Sequence, residues 1–142
     1  MKIAIVSAEY NELVTDKLLA GTVKRLIELG GLPENFTITK VPGAVEIPLI
    51  AKLQAKSGKF DAIICLGAVI RGETNHYDYV CQWVTEGCLR VMLDYDLPVI
   101  FGVQTTDNIE QALARVDEHH IHKGIEAADT AIKMIGIIKN LA

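Results

Sequence analysis

Apolar residues in this chain fall into short continuous runs separated by stretches of helical periodicity. Lys2 to Ser7 is a short run of β type. Asn11 is then in position to cap a helix with Leu13, Val14, Leu18, Val23, Leu26 and Ile27 on one face, stopped by Gly30-Gly31 and Pro33. Phe36 to Val41 reads as a second strand, closed by Pro42-Gly43. Ala44 to Lys56 reads as a helix, with Pro48 in its first turn, where proline needs no N–H partner.

Asp61 to Leu66 is nearly all apolar, as strands covered on both faces are. Tyr77 to Asp94 reads as a third helix and Pro98 to Val103 as a fourth strand. Asp107, with Glu110 three residues later, resembles a capping box for a short helix ending near Arg115. Ala128, Ala131, Ile132, Ile135 and Ile138 mark one face of a last helix. Strands alternating with helices predict an α/β fold, a parallel sheet with helices on both faces. Ligands in such sheets bind at the carboxyl ends of strands. Those ends are Ser7–Asn11, Val41–Glu46, Gly67–His76 and Gly102–Thr106.

Composition narrows the class. A chain of 142 residues reads as one domain, residues 1–142. At this size it buries ~68–70% of its unfolded surface and needs no disulfide or metal to fold. Half the residues are hydrophobic, 23% are charged, and mean hydropathy is +0.27, which fits a thick core or an apolar surface shared between subunits. A net charge of −4 argues against nucleic acid as a partner. Cys65, Cys81 and Cys88 are odd in number, have no CxxC spacing, and read as reduced thiols of a cytoplasmic protein. The run Ile3–Val6 is too short for a signal peptide, and no stretch approaches the ~20 apolar residues of a membrane span.

The densest candidate chemistry lies in Gly67 to Asp78, where an apolar run ends at Arg71 and Gly72 and a histidine opens a helix. Backbone N–H groups of Gly72, Glu73 and Thr74, with the Thr74 hydroxyl, suit an anion at a helix start. His76 suits proton transfer beside it. The glycine pattern matches neither the P-loop nor the dinucleotide fingerprint, and the Glu73 carboxylate must point away from an anion. At the other strand ends, Tyr10 either stacks on a planar ring or packs a helix start beside Asn11. Glu46, next to Val45, is either a helix-terminal carboxylate or a hydroxyl-binding group. Phe101 reads as core. Arg115 and Lys123 are solvated charges or partners of a phosphate. His119, His120 and His122 read as a surface cluster rather than a metal site, since no carboxylate or cysteine lies at ligand spacing with all three.

Four ordered segments then resemble the lumazine synthase family. They are Val41-Pro42-Gly43-Ala44-Val45-Glu46-Ile47-Pro48, Gly67 through Val80, Pro98 through Val103 with Thr105-Thr106 and Ile109 to Ala112, and Lys123-Gly124 before an alanine-rich helix. The resemblance runs from about Lys2 to the last helix. It implies a flavodoxin-like three-layer sandwich with a four-stranded parallel sheet. It also implies a cofactor-independent transferase of riboflavin biosynthesis. That enzyme joins 5-amino-6-ribitylaminouracil to 3,4-dihydroxy-2-butanone 4-phosphate and releases 6,7-dimethyl-8-ribityllumazine, phosphate and water. Under it, Tyr10 stacks on the pyrimidine beside Asn11, and Val45 and Glu46 line the ribityl chain. Ala68, Val69 and Ile70 meet the pyrimidine edge through backbone groups, Glu73 and Thr74 hold the phosphate, and His76 shuttles protons. Phe101, Arg115 and Lys123 come from a neighbouring subunit, Arg115 reaching the phosphate. The assembly implied is a homopentamer with sites between subunits, able to pack into a decamer or a sixty-subunit shell, with riboflavin synthase as a candidate partner.

The chain departs from the family's usual pattern at three positions. Glu73 replaces a small residue, Val45 a frequent phenylalanine, and His119 a frequent lysine. Many members also carry a segment ahead of the first strand, and without it a sheet edge must be managed otherwise. Two rivals are an enzyme of the same fold that dismutates two lumazines and a non-catalytic flavin-binding shell. His76 together with Arg115 and Lys123 favours the lumazine-forming enzyme.

Overall fold

The computed structural model describes all residues, Met1 to Ala142. Its elements follow the strand–helix alternation in order: β1 Ile3–Ala8, α1 Glu12–Glu28, β2 Phe36–Val41, α2 Ile47–Lys56, β3 Ala62–Ile70, α3 His76–Tyr95, β4 Val99–Thr106, α4 Ile109–Ala114 and α5 Lys123–Leu141. The four strands pair in parallel in the order β2-β1-β3-β4. The sheet is the middle of three layers. Ile3, Ile5, Ile64 and Leu66 pack toward α1, α4 and α5, whereas Ala4, Val6, Ile63 and Cys65 pack toward α2 and α3. Both faces are covered, so β1 and β3 lack the polar alternation of a half-exposed strand. This is the flavodoxin-like three-layer α/β architecture.

Several expected boundaries move for local reasons. The segment from Ala44 is not one helix. Ala44–Glu46 forms a 3-10 turn, and α2 starts at Ile47 with Pro48 at its beginning. The cap of α4 is Asn108, not Asp107: the Asn108 Oδ1 accepts the Gln111 N–H at 2.8 Å. The Asp107 carboxylate instead takes the Arg71 Nε–H at 3.0 Å. On α1 only part of the apolar stripe is buried. Val14, Leu18 and Leu26 are in the core, but Leu13 is 67% exposed and Ile27 45%. Phe101 is not core either, at 42% exposed, on β4 at the edge of the sheet, although Val99 and Val103 on the same face are buried.

β3 and β4 run further than expected, and this shapes the site. The β1 ladder to β3 ends at Ser7 opposite Leu66, while β3 continues beside β4 to Ile70 opposite Thr106. The last residues of β3 therefore have a strand partner on one side only. The chain also leaves β1 for β2 on one side and then crosses to β3 on the other, so the β1/β3 junction is the topological switch point. A crevice opens there at the carboxyl ends of the strands.

Candidate active site

The crevice is a cleft of about 340 Å³. Tyr10 and Asn11 approach it from β1, Val45 from the turn after β2, Ala68 to Ile70 from β3, and Thr74 and His76 from the start of α3. Chain geometry positions each of them. The Glu9 and Tyr10 N–H groups donate to Val41 O and Pro42 O at 2.8 and 3.0 Å, which ties the ends of β1 and β2 together. Trp83 on α3 donates its indole N–H to Val45 O at 3.0 Å and holds the 3-10 turn against the cleft. Tyr10 is 74% exposed, so its ring is free to cover a planar ligand.

Asn11 does not cap α1 with its side chain. Its backbone is left-handed, at φ 63°, and its Nδ2 donates to Ala68 O at 2.7 Å across the crevice. Asparagine suits both demands, since it tolerates this conformation and carries an amide donor. Asn11→Ala should therefore lower stability by about 1–3 kcal/mol, combining backbone strain with a lost bond. Asn11→Gly should recover the strain part. Urea unfolding of the three proteins checks this, and equal stability of the alanine variant and wild type would refute it.

Beyond Leu66 the crevice edge of β3 has no strand beside it. Ala68 O faces Asn11 on the β1 side, and Arg71 N–H donates to Thr106 O at 2.9 Å on the β4 side. Strand alternation then turns the backbone groups of Ala68 and Ile70 into the crevice and those of Val69 into the β4 ladder. Val69 also lines the cleft.

The loop after β3 is exposed. Thr74 Oγ1 accepts the His76 N–H at 3.3 Å, and Gly72 has nothing within 4 Å of where a Cβ would stand. Glu73 is exposed and forms no ion pair. Arg71 latches the loop from below. Its guanidinium reaches Asp107 at 3.0 Å and Asp78 at 3.6 Å, and lies 4.3 Å from the Tyr77 ring centroid. Exposed ion pairs of this kind contribute little energy, so their importance is geometric. Burial, with a smaller contribution from Cys81, pushes the Tyr77 phenol up from its usual value. Arg71, Tyr77 and Trp83 were not singled out from sequence. Only the carboxylates flanking Arg71 along the folded chain reveal its role, and they lie 7 and 36 positions away.

Glu46 borders this cleft, and the remaining residues lie apart from it. Glu46 stands at the start of α2, its carboxylate folded back to 3.4 Å from the Cβ position of Gly43. Phe101 and Lys123 line a second hollow of about 410 Å³ beside β4 and α5. Lys123 pairs with Glu126 at 3.2 Å. Arg115 follows α4, where its Nη1 donates to Gln111 O at 3.0 Å, and it has no carboxylate partner. The three histidines do not form one surface cluster. His119 and His120 are exposed, but His122 is buried as the cap of α5. A histidine beside a helix start carries an acceptor as well as a charge, and here the acceptor decides its place. Cys65 and Cys88 are buried and Cys81 half-buried, all as free thiols. The Cys88 thiol and burial push the Cys65 thiol well above its usual range, so it is inert core.

Residues 1–139 match the family model described as 6,7-dimethyl-8-ribityllumazine synthase. This chain belongs to that family. Curated proteins of that name from three Coxiella burnetii strains (CbuG_Q212, RSA 493 / Nine Mile phase I and Dugway 5J108-111) are 52% identical to it over 140 residues. The alignment covers 99% of this chain and 93% of each relative. The 6,7-dimethyl-8-ribityllumazine synthase match thus includes every residue of the crevice, the loop after β3 and the second hollow.

Proposed function

We propose that this protein condenses 5-amino-6-ribitylaminouracil with 3,4-dihydroxy-2-butanone 4-phosphate, giving 6,7-dimethyl-8-ribityllumazine, phosphate and water, as a transferase of riboflavin biosynthesis. The observation that carries this is the family match across residues 1–139, whose span includes the whole switch-point crevice. The free edge of β3 at Ala68 and Ile70 offers donors and acceptors to the pyrimidine, with Tyr10 over its face. Val45 and Glu46 flank the ribityl chain, Glu46 accepting its hydroxyls. The exposed N–H groups of Gly72 to Thr74, including that of Glu73, and the Thr74 hydroxyl hold the phosphate at the start of α3.

The chemistry suits such a site. The 5-amino group attacks the ketone and water leaves to form an imine. Phosphate is then eliminated, the enol tautomerises to a ketone, and the ribitylamino nitrogen attacks that carbonyl, closing the ring with loss of a second water. Holding two substrates in register supplies much of the acceleration. His76, exposed at the edge of the cleft, moves protons among nearby atoms. A cation stabilises the leaving phosphate.

That cation is Arg115 of a neighbouring copy. Within one chain Phe101, Arg115 and Lys123 stand outside the crevice, which supports a second copy as their source. The outer faces of α2 and α3 expose Leu49, Leu53, Tyr79, Trp83 and Leu93, an apolar surface fit for self-association. A homopentamer with one site at each junction uses both features. No helix is long and apolar enough to cross a membrane, and reduced buried thiols suit the cytoplasm.

The test is a mixture of purified protein and both substrates, followed by lumazine fluorescence and phosphate release. Both should rise together above the uncatalysed rate. A parallel tube with lumazine alone should stay free of riboflavin. Riboflavin in that tube, or no product with tight flavin binding in the first, would refute the assignment.

A further inference from the structure

His122 has no part in the roles above, yet three contacts place it at a junction. It is 7% exposed where α5 starts against α1. Its Nδ1 accepts the Ile125 N–H at 3.3 Å and caps a helix of 19 residues. Its ring lies against Gly21 of α1, where any Cβ would collide with the imidazole. Its backbone forms an isolated antiparallel bridge with Val116. The next N–H along, that of Lys123, donates to Arg115 O at 2.7 Å. The imidazole is therefore the keystone of a short ladder carrying both cations assigned to the substrate.

We propose that His122 is a pH-sensitive positioning residue. As the neutral imidazole it caps α5 and holds Arg115 and Lys123 in register, and on protonation it releases them and weakens binding of the phosphorylated substrate. The consequence for substrate rests on the phosphate role given to Arg115 above; the capping switch itself does not.

The chemistry is direct. An unprotonated Nδ1 can accept the Ile125 N–H, whereas a protonated one would set donor against donor. It would also place a positive charge at a helix N-terminus, which the helix dipole disfavours. The charged groups around the ring are Asp117 and Glu118 of the preceding loop, Lys123 and Glu126 of α5, and Lys17 of α1. His119 lines the same hollow as the ring. Burial lowers the His122 pKa and outweighs the opposing pull of Glu118, Asp117 and Glu126. With the folded value depressed, the unfolded chain takes the proton first as pH falls. The cap is fully present above the ordinary histidine range and is lost as pH falls through the depressed value.

His122→Asn keeps a strong N-cap that does not titrate. The KM for the butanone phosphate should be measured for both proteins from about pH 5 to pH 8, a range that spans histidine titration. The ester's own titration, near ~6 for a phosphate monoester, is common to both proteins and cancels in the ratio. The wild-type to variant ratio should be about one at the alkaline end and rise about five-fold at the acidic end, the factor set by one cap. The same ratio for the pyrimidine should stay flat. His122→Ala, which lacks the cap, should show the raised KM at every pH.

Hydrogen exchange in residues 123–127, compared between wild type and His122→Asn at each pH, reads the cap without turnover. Wild-type protection should fall relative to the variant on acidification. Unchanged relative protection would overturn the switch whether or not the protein turns over. A flat KM ratio in active protein would overturn its link to substrate. Wild type that makes no lumazine but shows the protection change would sink the functional reading and leave the switch standing.

Discussion

Arg115→Ala is expected to weaken binding of 3,4-dihydroxy-2-butanone 4-phosphate by roughly 10²-fold, while binding of the pyrimidine changes little. Two charge-assisted hydrogen bonds from one guanidinium to a phosphate are each worth ~1.5–3 kcal/mol, and part is recovered by water. The fold should tolerate the change. The side chain makes a single bond, to Gln111 O at 3.0 Å, and no ion pair. Arg115→Lys should recover only part of the affinity, because an ammonium cannot match a phosphate with two parallel donors. Calorimetric titration of each substrate separately is the decisive measurement. Equal weakening of both, or of neither, would remove Arg115 from the phosphate site.

His76→Ala is expected to lower kcat by roughly 10²-fold without abolishing turnover, the usual contribution of one general acid–base group. Residual catalysis remains because substrate alignment does not depend on the imidazole. The thermal midpoint should barely move, since His76 is exposed and only its backbone N–H is engaged, with Thr74 Oγ1. Kinetics and thermal unfolding on the same preparation test this, and activity and stability lost together would count against a chemical role. Mixing the two variants tests the shared site as well. If His76 and Arg115 of one site come from different copies, mixed assemblies should regain wild-type sites, about one in four for an equal mixture of a cyclic assembly. Both residues in one chain would give no recovery.

Much of this was legible along the chain because strand and helix periods are local. Four strands in alternation with helices follow from the apolar runs, and the burial of the central pair on both faces from runs such as Ile63 to Leu66. By composition the loop from Gly67 to His76 suits an anion, and the structure sets it beside the crevice. The four ordered segments were specific enough to name the family that residues 1–139 match. Errors arose where one residue decided the geometry. Asn108 rather than Asp107 caps α4, because Asp107 is drawn to Arg71 from another strand end. Phe101 looked like core because an apolar run does not say which strand is the sheet edge.

The sequence alone determined the order of elements, the parallel sense of the sheet and the residue types that gather at its carboxyl end. Tertiary structure decided which of those ends meet. The order β2-β1-β3-β4 puts Asn11 against Ala68, 57 positions away, and leaves the far end of β3 with an open edge. It also buried His122 as a helix cap and kept Phe101, Arg115 and Lys123 out of the crevice. The physical reason is that hydrophobic periodicity records which face of an element is buried. Which elements become neighbours is set by layer packing and by the direction of each crossover, and these act between residues too far apart for any local pattern to record.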